Sequence, residues 1–177
     1  MNISFERYQP HDRETLASFL VSEPWPNHTH VAPTYDEVEK EVESGYYDGK
    51  GIETFWIVRE GGKVGFIRIY ELEDENPLFD MRISEKMRGQ GIGTQALEWA
   101  KNYVFEKHPH IVRMEGYTRI DNIGMRRVFQ KCGFVKESQP RACWPGEGGI
   151  LYDSVGYAVI RKDWENKTLT PVNWEME

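Results

Sequence analysis

The stretch Phe79-Asp80-Met81-Arg82-Ile83-Ser84-Glu85-Lys86-Met87-Arg88-Gly89-Gln90-Gly91-Ile92-Gly93-Thr94 decides the fold. Together with Leu78, its first residues predict a strand from Leu78 to Ile83. Its end gathers Gly89, Gly91 and Gly93 into a turn. From Gly91 to Lys107 the apolar residues Ile92, Ala96, Trp99 or Ala100, Tyr103 and Val104 then recur at helical spacing until Pro109. A strand that feeds a glycine-rich turn and then a long helix suits an anion. The N–H groups of the first helical turn have no intrahelical partner, and glycine lets a phosphate approach the backbone closely. The spacing is not that of a P-loop, because the chain has no Gly-Lys-Ser or Gly-Lys-Thr. It fits poorly with a dinucleotide-binding turn, which wants glycine where Thr94 stands and ideally opens the domain.

Upstream, Ile3 to Tyr8 alternates as a first strand, and Asp12 is the expected N-cap of a short helix through Leu20. Ser22 to Pro33 contains three prolines and reads as a loop. Thr34-x-x-Glu37 is a capping-box pattern opening a helix through Val42, which Gly45 ends. Phe55 to Arg59 and Lys63 to Tyr70, around Glu60-Gly61-Gly62, predict a hairpin. Downstream, a strand is expected from Ile111 to Tyr117 and a helix from Asn122 to Cys132 closed by Gly133. A strand opening at Phe134 should pair with Ile150 to Ile160 across Trp144 to Gly149. The predicted order is β-α-α-β-β-β-α-β-α-β-β, an α/β (α+β) domain whose antiparallel start gives way to two crossovers that allow parallel pairing.

With 177 residues, 39% hydrophobic and 29% charged, the chain is expected to fold as one globular domain, 1–177. Its apolar runs are far shorter than the ~20 residues of a membrane span, and the start lacks a signal-peptide core, so a cytoplasmic protein is expected. Cys132 and Cys143 match no disulfide framework or zinc signature and are read as reduced thiols. The net charge of −7 is uneven: −10 over residues 1–80, +6 over 81–141 and −3 over 142–177. That distribution argues against duplex nucleic acid as a partner, which would need a broad basic face. It suits a small polyanion in the middle, with something neutral or cationic facing the acidic part.

Arg88-x-x-Gly91-x-Gly93 resembles the R/Q-x-x-G-x-G/A signature of the GNAT superfamily, the acyl-CoA-dependent N-acyltransferases. Asn122, Phe129 and Gly133-Phe134 resemble that superfamily's second motif, an Asn followed by a helix ending in Gly-Phe. The ending Tyr157 to Trp164 is similar to the branch that acetylates the N-termini of ribosomal proteins. The resemblance implies a single domain with a mixed central sheet of about 7 strands, a β-bulge that splays it, and about 4 flanking helices. It also implies acetyl-CoA as co-substrate, no metal, an amine acceptor, and the homodimer common in the family. The pyrophosphate would lie on the N–H groups of Gln90, Gly91, Ile92, Gly93 and Thr94, after Gly89 and beside Arg88. The pantetheine arm would pair along Met81, Arg82 and Ile83. Asn122 and the helix bearing Phe129 would meet the cofactor, with Arg126 and Arg127 able to reach the 3′-phosphate.

Acetyl transfer needs a neutral amine, and an alkyl amine with a pKa of ~10 is only about one part in a thousand free base at pH 7. Asp80 is the candidate base, with Glu73 and Glu75 upstream, and a backbone N–H near Arg82 or Ile83 would polarise the thioester carbonyl. Phe129 stands where many family members carry a tyrosine as general acid. Either Tyr117 or Tyr157 replaces it, or the thiolate leaves unassisted, the preferred reading; a non-catalytic acyl-CoA-binding module stays open. On the acceptor side, Trp25, Trp144 and Glu147 are expected to enclose a cation, with His28 nearby. His28 and His30 lack a third ligand for a metal. A small amine, a protein N-terminus and an aminoglycoside-type polycation are all possible acceptors.

Overall fold

The structure is a computed structural model that describes residues 3–174, without the side chain of Glu147. Among these residues the chain forms a seven-stranded mixed sheet, a two-stranded ribbon and five α-helices. The sheet strands in chain order are β1 (Ile3–Arg7), β2 (Glu53–Arg59), β3 (Gly62–Tyr70), β4 (Leu78–Ile83), β5 (Arg113–Arg119) and β6 (Val135–Ser138). The ribbon pairs β7 (Trp144–Pro145) with β8 (Leu151–Tyr152), and β9 (Ser154–Ile160) returns to the sheet, whose order is β1-β2-β3-β4-β5-β9-β6. The helices are α1 (Arg13–Val21), α2 (Tyr35–Glu43), α3 (Ile92–Lys107), α4 (Ile123–Lys131) and α5 (Arg161–Asn166).

Strand alternation divides the core between the two faces of the sheet. Phe55, Ile67 and Ile69 point to one face and pack with Leu97, Val104 and Phe105 of α3 and Phe129 of α4. Trp56, Val58 and Phe66 point to the other and pack with Leu16 and Leu20 of α1, Val38 of α2 and Trp25 of the proline-rich loop. Burying an aromatic of this size is worth roughly 3 kcal/mol, which helps hold the loop in place despite its lack of regular structure. Trp25 also donates its Nε1–H to the Leu20 carbonyl at 2.8 Å and its backbone N–H to Val31 at 2.6 Å.

The feature that positions the site is a parting of the sheet. β4 and β5 are parallel and share a single register pair, Leu78 with Glu115, after which they diverge. The expected splay is therefore present, while the register of β4 against β3 runs unbroken from Leu78 to Ile83. The irregularity lies one strand over, between Ile57 and Val58 of β2 opposite β3.

Three local differences from the sequence reading have simple causes. Asp12 belongs to a 3₁₀ turn, Pro10–Asp12, where its carboxylate accepts the Gln9 N–H and pairs with Lys63, so it does not cap α1 through its side chain. The run Ile150 to Ile160 is broken, with the short β8 separate from β9. α5 was not expected. Its first residue, Arg161, donates to the carbonyls of Phe105, His108 and Ile111, closing the C-terminal end of α3. No helix among the described residues is long and apolar enough to cross a membrane.

Candidate active site

Two cavities open where β4 and β5 part. The larger, about 410 Å³, is a groove between the loop after β4 and the start of α4. Its floor includes Met81 and Ile83, and its rim is formed by Arg88, Gly89, Gly91, Ile92, Gly93 and Thr94. Gly89 and Gly91 adopt φ values of +74° and +80°, the left-handed region that side chains disfavour. An added Cβ on Gly89 would meet nothing within 4 Å, so these glycines are required by the turn itself, and its outer surface stays open. Gly91 is also the N-cap of α3, where no side chain caps the helix and no acidic residue sits in the first turn. By contrast α2 is closed by Thr34 and Glu37, each accepting the other's backbone N–H. Arg88, Arg127 and Lys131 line the groove, and no carboxylate is among its described lining residues. Uncapped N–H groups, a helix dipole and three cations together make a receptor for a polyanion.

The second cavity, about 300 Å³, lies on the other side of β4. Its walls are Asn27, His28 and Thr29 of the loop, Tyr46, Arg68 and Tyr70, and Tyr117 and Trp144 across the splay. Asp80 has only 18% of its side chain exposed. His28 Nδ1 stands 3.2 Å from Asp80 Oδ1, and Arg82 Nε stands 3.4 Å from Oδ2. Burial alone would raise the Asp80 carboxyl, but His28, Arg82 and Arg68 outweigh it and hold the group well below the usual carboxylate range. Asn27, His28, Met81, Asn122 and Met125 line both cavities, so the two meet at these residues.

The acetyltransferase (GNAT) domain model matches residues 2–135. The chain belongs to the GNAT acetyltransferase family. A search of curated protein sequences finds no match. Among solved structures, similar folds include a probable acetyltransferase with TM-score 0.77 and 20% identity, covering 92% of this chain and 94% of the other. RimL, a ribosomal L7/L12 α-N-protein acetyltransferase in complex with coenzyme A, aligns with TM-score 0.77 and 17% identity over 90% and 94% of the two chains. The spermidine N-acetyltransferase of Vibrio cholerae in complex with CoA and spermine aligns with TM-score 0.76 and 15% identity over 93% and 98%.

Within this GNAT domain the glycine turn, Arg88, Met81 and Ile83 lie together on the groove. Gln90 is not among the groove's lining residues, and its side chain bonds Arg59 and the Lys86 carbonyl. Arg82 does not share the groove with Met81 and Ile83, because alternation along β4 sends its side chain to the opposite face with Asp80. Arg126 is turned inward, donating to the Ile120 carbonyl at 2.9 Å, and the next residue, Arg127, takes the groove. Phe129 is fully buried, stacked 4.7 Å from Tyr157, and reaches the second cavity rather than the groove. Trp25 is 1% exposed and lies below the groove under Arg88 and Arg82, so it is no wall for an acceptor cation. Trp144 and His28 line the second cavity, and the side chain of Glu147 is outside the described ones. Asn122 lies at the junction, its Oδ1 capping α4 through the Met125 N–H and its Nδ2 donating to Thr118. No group of three metal-ligating side chains occurs among the described residues. The sequence reading missed Tyr46, Arg68 and Tyr70. Arg68 left a signal, a charged residue in the middle of the apolar run Val64 to Ile69.

Proposed function

We propose that the protein transfers the acetyl group of acetyl-CoA to the primary amine of a small molecule or a protein N-terminus by direct attack within a ternary complex. The observation that carries this reading is the junction of the two cavities at His28. A thioester in the cationic groove and an amine in the second cavity would meet beside an imidazole that is itself held by a buried carboxylate.

The chemistry divides between these residues. Asp80 is a weak proton acceptor, because a carboxyl held so low keeps its proton poorly. Its role is to hold His28: with Nδ1 facing Asp80, the lone pair of Nε2 is left for the ammonium or amine proton. The freed amine attacks the thioester carbon, the C–S bond breaks, and CoA departs as the thiolate. The proton on His28 then passes to solvent or to the thiolate. No tyrosine or cysteine is among the described lining residues of the groove, Tyr157 is packed against Phe129, and Tyr117 lines the second cavity and not the groove, which favours unassisted departure. A thiol is acidic enough for this, with an ordinary value of ~8.5. Cys132 is an unsuitable acetyl carrier, since burial pushes its thiol up to about 12.

Calorimetry should detect acetyl-CoA binding in the micromolar range, and an amine panel should release free thiol in an amine-dependent way. Absence of acetyl-CoA binding defeats the reading. Tight binding without turnover across a broad panel favours the non-catalytic acyl-CoA-binding module.

A further inference from the structure

The electrostatics of the acceptor cavity oppose the expectation of a cationic acceptor. The chain is acidic before residue 80, but those carboxylates are engaged elsewhere: Glu39 and Glu43 with Arg13, Glu53 with Arg7, Glu73 with Lys50. Among the described residues lining the cavity, Asp80 is the one carboxylate, and it faces two arginines. Arg68 is 5% exposed, clamped between the rings of Tyr46 at 3.6 Å and Tyr70 at 4.2 Å, and donates its Nε–H to the Tyr46 carbonyl. Its terminal amino groups have no acceptor among the described contacts. Arg82, 9% exposed, makes one long contact to Asp80 and leaves Nη1 buried without a partner. Trp144 Nε1, on the same cavity, is likewise buried without a partner.

Every one of these unmet groups is a donor. Two of them, Arg82 Nη1 and Trp144 Nε1, are fully buried, where a donor without an acceptor is costly, so a set converging on one cavity calls for an acceptor-rich ligand. Two arginines against one aspartate leave a net charge of +1, which a single carboxylate balances, and the planar guanidinium matches carboxylate geometry. Tyr70 adds a further donor, its phenol pushed up to about 12 by burial and so protonated at neutral pH. A volume of about 300 Å³ suits a small molecule.

We propose that the acceptor is a small primary amine that also carries a carboxylate, held by Arg68 and Arg82 so that its amino group lies at His28. This rests on the acetyl-transfer reading above and narrows its substrate.

The test uses α-, β- and γ-amino acids, each beside its decarboxylated amine, with spermidine as the polycation. Thiol release should show kcat/KM at least about tenfold higher for the carboxylate member of the preferred pair, chiefly through KM. Arg68→Gln should erase that preference while leaving the calorimetric affinity for acetyl-CoA unchanged. Arg82→Gln provides the same test if the first variant folds poorly. A second arm needs no turnover: calorimetry of N-acetylated amino acids against the matching N-alkylacetamides, with and without CoA, should favour the acids by about tenfold. Equal or better use of the plain amines, preference for spermidine, or a preference that survives in both arginine variants overturns the proposal. So does failure of every acid to bind. Carboxylate-selective binding without thiol release would instead count against acetyl transfer and leave the anion site standing.

Discussion

The groove and the acceptor cavity share a wall and differ in how they are made. The groove takes nearly half of its lining from one continuous segment, Met81 to Thr94, and the rest from the start and face of α4 and the loop residues Trp25 to His28; its donors combine the backbone N–H groups of an uncapped helix start with three cationic side chains. The acceptor cavity is assembled from a proline-rich loop, the turn after α2, strands β3 to β5, the α4 region and the ribbon, and its donors are side chains. A site made of backbone tolerates side-chain change and depends on glycine. A site made of side chains depends on each of them, and on the packing that places them. On the proposed reading, cofactor recognition rests largely on local conformation, whereas acceptor recognition rests on tertiary assembly.

That contrast can be broken by variants with separate readouts. The largest effect is expected at the junction: His28→Ala should lower kcat by about 10²–10⁴, the span for losing a general base, with a far smaller change in acetyl-CoA affinity by calorimetry. Asp80→Asn should lower kcat and also reduce stability by about 2 kcal/mol at neutral pH, because it leaves two buried arginines uncompensated. The Asp80 carboxyl lies lower in the folded chain than its unfolded value of ~3.9, so its contribution is full above that pH and disappears as pH falls through the folded value. Thermal midpoints of wild type and variant should therefore converge only in strong acid. Gly91→Val forces a β-branched residue to φ +80° and should weaken acetyl-CoA binding about tenfold, with acceptor KM little changed. Arg127→Gln and Lys131→Gln should each weaken binding only about threefold, an effect that shrinks with added salt because both side chains are solvated.

Legibility followed the same division. The strand Leu78 to Ile83, the glycine turn, α3 and the capped start of α2 are encoded in contiguous residues, and their expected positions agree with the structure to within about two residues. Arg82 was readable in principle, since strand alternation that puts Met81 and Ile83 on one face puts Asp80 and Arg82 on the other. Arg126 and Arg127 are adjacent on α4, and which one reaches the groove depends on helix phase, fixed here by the Ile120 carbonyl. Nothing local announces that. His28 sits in a loop without period, and its place follows from the burial of Trp25, a contact with elements distant in sequence. The charge of the acceptor cavity does not follow the net −10 of the N-terminal block, because of those carboxylates only Asp80 is among the described residues lining the cavity, and that placement is a fact of the folded surface.

The central claim is that cofactor and amine occupy adjoining cavities at the same time, with no acetyl group passing through the protein. An initial-rate grid varying acetyl-CoA and an accepted amine tests it most directly. Double-reciprocal lines that intersect are the predicted result. Parallel lines, together with an acetylated protein trapped when the amine is withheld, would contradict it.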